Sequence, residues 1–143
     1  MLHHLSFGVA DIRRSAAFYD AVLGALGFVR VWGDLEGGAN DQAVGYGRAG
    51  GGDKFAIKQR TGAPIVVPAG FHLAFAAPDR EAVDRFHAAA LRLGGSDNGG
   101  PGLRPHYAAD YYAAFVIDPD GYRIEAVLNG PDAPGSTPGS GTA

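Results

Sequence analysis

Sliding the chain along itself by 68 positions places His4 on His72, Leu5 on Leu73, Phe7 on Phe75 and Asp11 on Asp79. The match runs on without a gap through Phe18 and Phe86, Ala21 and Ala89, Leu23 and Leu91, and Gly27 and Gly95. Such a run is an internal repeat, and a repeat constrains the fold before any other feature is read. Each copy holds about 60 residues, a size at which too little surface is buried for comfortable independent stability. The halves must therefore share a core or complete one another. At 143 residues with 46% apolar content, the chain suits a single ordinary globular domain.

Local patterns give the same order of elements in each half. Leu2 to Val9 alternates as a strand, with Leu5, Phe7 and Val9 on one face and His4, Ser6 and Gly8 on the other. Asp11 is placed to cap a helix bearing Ile12, Ala16, Tyr19, Leu23 and Leu26 on one side, until glycines stop it. Phe28 to Trp32, Gln42 to Gly47 and Lys54 to Gln59 then read as three strands between glycine-rich turns. The first half is thus βαβββ, and TGAPIVVPAG is the connector. The second half opens with a strand from Phe71 to Ala76 and a helix from about Asp79 to Leu93. The loop SDNGGPGLRPHYAAD follows, with any further strand hidden inside it. A hairpin of Tyr111 to Ile117 and Tyr122 to Leu128 closes the half, joined by DPDG, which reads as a turn and nothing more. The plan is one domain over 1–130, with modules at about 1–60 and 70–128. Residues 131–143, rich in Gly, Pro, Ser and Thr, form a flexible tail.

Composition excludes several classes. A net charge of −3 with scattered Arg and Lys leaves no nucleic-acid footprint. The absence of cysteine removes disulfide and thiolate chemistry. No cationic segment precedes a long apolar one, and no run approaches membrane-spanning length, so the expectation is a soluble cytoplasmic protein without nucleic-acid or membrane partners.

Strand parity carries the chemistry. In both copies the large apolar residues turn one way, and a histidine among small residues turns the other: His4 with Ser6 and Gly8, His72 with Ala74 and Ala76. A sheet face lined by small residues leaves room for a cleft. On the last strand Tyr122, Ile124, Ala126 and Leu128 form the apolar face, while Arg123, Glu125 and Val127 face the cleft. A carboxylate in such a strand is costly to bury without a partner. Two histidines facing the same hollow as Glu125 supply that partner in the form of a metal ion. Taken singly, either histidine reads as an ordinary half-buried side chain; the duplicated position is what favours ligation.

The stretches LHHLSFGVADIRRSAAFYDAVLGALGF, GFHLAFAAPDREAVDRFHAAALRLGG and YYAAFVIDPDGYRIEAV resemble the vicinal oxygen chelate superfamily, over residues 2 to 128. That superfamily includes glyoxalase I, extradiol dioxygenases, and the fosfomycin and bleomycin resistance proteins. The resemblance implies an α+β fold of two βαβββ modules forming a half-open barrel around one divalent ion, drawn from Fe, Zn, Ni or Mn. It implies His4, His72 and Glu125 as metal ligands, with Glu125 also catalytic. The activity implied is glyoxalase-like lyase or isomerase chemistry or extradiol dioxygenation, with fosfomycin-type transfer as a lesser option. A metal-free protein that sequesters an antibiotic or other small molecule is the alternative.

One departure from the glyoxalase I pattern concerns Lys58. Aligning FAIK with YRIE sets Lys58 opposite Glu125, where glyoxalase I carries a fourth ligand. An ammonium beside a cation suits an anionic group of the substrate instead. Arg104, His106 and Tyr112 are further substrate contacts; Tyr111 and Tyr112 point to opposite faces, so only one can reach the cleft. The partners expected are a small-molecule substrate and a second copy of the chain, with His4 of one subunit meeting His72 and Glu125 of the other.

Overall fold

The computed structural model describes residues 1–132; from residue 133 on, the expected tail lies outside the described residues. Ten elements follow one another: β1 (Leu5–Val9), α1 (Ile12–Ala25), β2 (Val29–Asp34), β3 (Ala43–Gly47), β4 (Phe55–Gln59), β5 (Leu73–Ala76), α2 (Arg80–Arg92), β6 (Ser96–Leu103), β7 (Tyr111–Ile117) and β8 (Arg123–Asn129). The strands form two four-stranded sheets of identical plan, ordered β1-β4-β3-β2 and β5-β8-β7-β6. In each, the first strand runs parallel to the last, and the other pairs are antiparallel. The repeat is therefore two βαβββ modules.

Both helices start as their sequences dictate. Asp11 accepts hydrogen bonds from the backbone N–H groups of Arg13 and Arg14, and Asp79 from that of Ala82. Ile12, Ala16, Tyr19 and Leu23 of α1, and Val83, Phe86 and Ala90 of α2, are buried. The strand hidden in the long loop is β6. Its register slips between Asp97 and Gly99 and again between Gly99 and Gly102, so no apolar alternation marks it.

One core serves both modules. Val9, Val44 and Ile57 of the first sheet, and Val116, Ile124 and Ala126 of the second, join the buried faces of both helices in it. The Phe7 and Tyr122 rings stack with centroids 3.8 Å apart, and the Tyr122 hydroxyl donates to the Gly8 carbonyl at 2.7 Å. The faces bearing these residues turn inward, so the opposite faces turn away from the molecule. Among the described residues, β1 and β5 are each the outermost strand of their sheet.

The DPDG turn does more than its sequence suggests. The Asp118 carboxylate accepts from the Tyr19 hydroxyl at 2.6 Å, and from the backbone N–H groups of Asp120 and Tyr122, both at 2.9 Å. Asp120 accepts from the Ala10 N–H at 3.2 Å, from Arg14 at 3.1 Å and from the Ser15 hydroxyl at 3.2 Å. The turn thus clasps the start of α1. Burial pushes the Tyr19 phenol well above its ordinary range, with Asp118 adding to the effect, and burial also pushes the Asp118 carboxyl up. No helix among the described residues is long and apolar enough to cross a membrane.

Candidate functional site

Glu125 sits mid-way along β8, between Ala74 of β5 and Phe115 of β7. Its neighbours Ile124 and Ala126 point into the core, so strand alternation turns Glu125 to the outward face. The sheet nevertheless covers it: only 3% of its side chain is exposed. A carboxylate so placed requires partners, and it has two. Its Oε2 lies 2.6 Å from His72 Nε2, and its Oε1 accepts a hydrogen bond from the Tyr111 hydroxyl. His72 precedes β5 and leaves 43% of its side chain exposed toward the hollow. His106, Tyr107, Tyr111 and Phe115 complete the lining of a hollow of roughly 490 Å³, enough for a small molecule.

The placements expected from sequence divide. His72, Glu125 and His106 come together. His4 does not: its Nδ1 lies 2.8 Å from His3 Nδ1, at a separate, mostly apolar hollow shared with Phe55, Leu73 and Phe75. Among the described residues, no three His, Asp or Glu side chains are grouped so that they could surround an ion. Arg104 stands just behind the site, its guanidinium 5.3 Å over the Phe115 ring and donating to the Gly100 carbonyl at 2.6 Å.

Two expectations are corrected. Tyr112 is not the cleft tyrosine. Its hydroxyl donates to Asp84 of α2 at 2.7 Å, and Arg80 lies over its ring, so it belongs to the helix side. Tyr111 is the one that reaches Glu125; burial first and Glu125 second push its phenol up to about 12. The parity rule fixed that one of the two enters the cleft, and only the position of β7 decides which. The second correction concerns register. Ser6 pairs with Ala56, as its repeat partner Ala74 pairs with Glu125, while Lys58 pairs with Gly8 and answers to Val127. The first-module counterpart of Glu125 is therefore Ala56. Aligning FAIK with YRIE misses this because it stands two positions out of the register that the strand pairing sets. Tyr107 and Phe115 line the site without having been foreseen; Phe115 was recoverable from parity with Tyr111 and Ala113.

Residues 1–126 match the model of the Glyoxalase/Bleomycin resistance protein/Dioxygenase superfamily. The chain is similar to the solved structure of a glyoxalase/bleomycin resistance protein from Albidiferax ferrireducens, with 35% identity, a TM-score of 0.73, and coverage of 88% of this chain and 97% of that one. A fosfomycin resistance protein FosX from Mesorhizobium loti shares 22% identity at a TM-score of 0.63, covering 91% and 92% of the two chains. A glyoxalase I variant from Zea mays gives 20% identity and a TM-score of 0.69; 87% of this chain spans 44% of that one. The last two similarities show the fold alone. No curated protein matches the chain.

Proposed function

The chain belongs to the glyoxalase/bleomycin resistance protein/dioxygenase superfamily, and from that premise we propose that it is a metal-dependent enzyme whose active site is shared by two copies. Members of the superfamily usually bind a divalent metal and often form dimers. His72 and Glu125 of one subunit, with His4 of the other, would hold the ion. The substrate would be a small molecule that chelates it through neighbouring oxygens.

The observation that carries this reading is the 2.6 Å approach of His72 Nε2 to a buried Glu125 oxygen at the floor of an open hollow. That contact sets an imidazole nitrogen against a carboxylate oxygen. The same two groups suit a divalent cation as ligands. Tyr111 braces the carboxylate from its other oxygen, as outer partners of metal ligands commonly do. One chain supplies two of the three ligands, so a second copy would supply the third.

When bound, the ion would act as a Lewis acid, stabilising negative charge that develops on the chelating oxygens. The chain's own groups do the rest. Tyr111, whose phenol burial and Glu125 push up, holds Glu125 in one orientation. Glu125 is the carboxylate on the floor of the hollow, so proton removal from a bound substrate falls to it. His106, Tyr107 and Phe115 form the hollow's walls. Arg104, behind Phe115, would meet an anionic group at the rim.

The presence, among the described residues, of no group of three possible ligands within one chain also suits the metal-free alternative, a small-molecule-binding protein. Metal analysis of untagged protein decides between them. Stoichiometric metal in the wild type, lost in His72→Ala with the fold intact, supports the enzyme; a metal-free wild type that binds its ligand supports sequestration.

A further inference from the structure

Glycine and aromatic residues have exchanged places between the two modules. Across the second sheet, Ala74, Glu125, Phe115 and Gly99 stand side by side in one row. The matching row of the first sheet is Ser6, Ala56, Gly45 and Trp32. Counting from the outer strand, the third place holds a ring in one row and a glycine in the other, and the fourth place holds the reverse. In the first row the glycine makes room for the ring beside it, whereas Gly99 has a positive φ of 142° that favours glycine in any case. A Cβ at Gly45 would fall 2.3 Å from Trp32 Nε1 and 2.4 Å from its Cε2, so the indole lies where that side chain would be. A Cβ at Gly99 would come within 3.1 Å of Phe115 Cδ2.

Trp32 therefore lies against the outward face of the first sheet, at the level that Phe115 occupies on the second. That face carries Ser6 and Ala56. The indole leaves 41% of its surface exposed although it is apolar and pressed onto the sheet. A ring that served only to cover the sheet edge would not require the third strand to give up its side chain. The exchange keeps one ring at the same level in each half-cup.

We propose that Trp32 is a specificity residue: together with Phe115 of the partner subunit it flanks a planar, unsaturated group of the substrate, next to the chelating oxygens. This rests on the shared-site reading above, since within one chain the two rings line different faces. Stacked or edge-on rings favour planar groups over aliphatic ones of similar size. Ala56, in place of a carboxylate, leaves the space beside Trp32 open.

The test uses two probes with the same chelating head, benzohydroxamate and acetohydroxamate, added to the intact Zn²⁺-loaded protein. Trp32 is the only tryptophan in the chain, so its emission reports on this position alone. Benzohydroxamate should bind about tenfold more tightly than acetohydroxamate and change Trp32 emission. In Trp32→Leu the preference should fall to about twofold or less with metal content unchanged, and Trp32→Phe should restore most of it. A Trp32→Leu protein that keeps the full preference, or wild-type emission indifferent to bound benzohydroxamate, would overturn the inference while leaving the metal site standing. A wild type without bound metal would overturn the shared-site reading and this inference with it. Metal content and subunit number, measured on the same samples, tell the two failures apart.

Discussion

Ala56 holds in the first module the register position that Glu125 holds in the second. The two modules are thus unequal at this place: one row holds a carboxylate, the other a methyl group. At the proposed shared site, three protein ligands would leave more of an ion's coordination sphere to a substrate than four. Ala56→Glu should restore the missing carboxylate, slowing metal loss to a chelator by about tenfold or more while weakening binding of hydroxamate probes. Metal release kinetics in EDTA check it, and unchanged release would show that the Ala56 side chain stays away from the ion.

The two adjacent tyrosines should behave oppositely. Tyr111→Phe removes the brace on Glu125 and should lower metal affinity by about 10- to 100-fold with little change in melting temperature. Tyr112→Phe removes only the contact to Asp84 and should cost about 0.5–1.5 kcal/mol of stability with normal metal content. Isothermal titration with Zn²⁺ and urea melts separate the two. Equal metal loss in both variants would contradict the assignment of faces.

Asp118 should matter more to folding than its place in a turn implies. Asp118→Ala strands the buried Tyr19 hydroxyl and two turn N–H groups, at a cost of about 2–4 kcal/mol. Asp120→Ala, which loosens the contacts to Ala10, Arg14 and Ser15, should cost less because Arg14 is half exposed. A loss below about 0.5 kcal/mol in Asp118→Ala, measured by denaturant unfolding, would show that the clasp is not a main support of the fold.

Alkali should destabilise the protein from about pH 10 upward. Burial holds the phenols of Tyr19 and Tyr46 above the ordinary tyrosine range. Their folded values exceed the unfolded one, so stability is complete below pH about 10 and is lost as pH rises, because the unfolded chain releases its protons first. Each such tyrosine contributes a slope of up to about 1.4 kcal/mol per pH unit in that range. Urea melts from pH 8 to 11 read the slope. A flat profile would mean that these phenols ionise as readily folded as unfolded.

Much of this arrangement was legible beforehand, for physical reasons. The repeat and the alternation of Phe7, Val9, Ile124 and Ala126 fix the modules and the inward faces, because a one-residue slip would bury polar side chains. Glu125 and His72 follow from the same alternation. What stayed hidden depends on how separate segments meet. The choice of Tyr111 over Tyr112 rests on where β7 lies, and the match of Ala56 to Glu125 on strand pairing that an ungapped alignment cannot see. β6, built of Ser, Asp, Asn, Gly and Pro, has no apolar pattern because its bulges break the alternation. The clasp at Asp118 is invisible locally, since Tyr19 lies 99 residues away in the chain.

That clasp has a geometric consequence for assembly. By fastening the turn before β8 to the start of α1, it ties the second sheet to the first module, so at the proposed shared site each subunit would meet its partner as one rigid piece with two unlike surfaces. Pieces of this kind either close into a ring or add on without limit, and the angle between those surfaces alone decides which. If the angle suits a two-fold axis, two copies satisfy both ends at once and growth stops at the pair. Loosening the clasp would relax that angle, and the first sign of damage would then be polymers rather than unfolded chains.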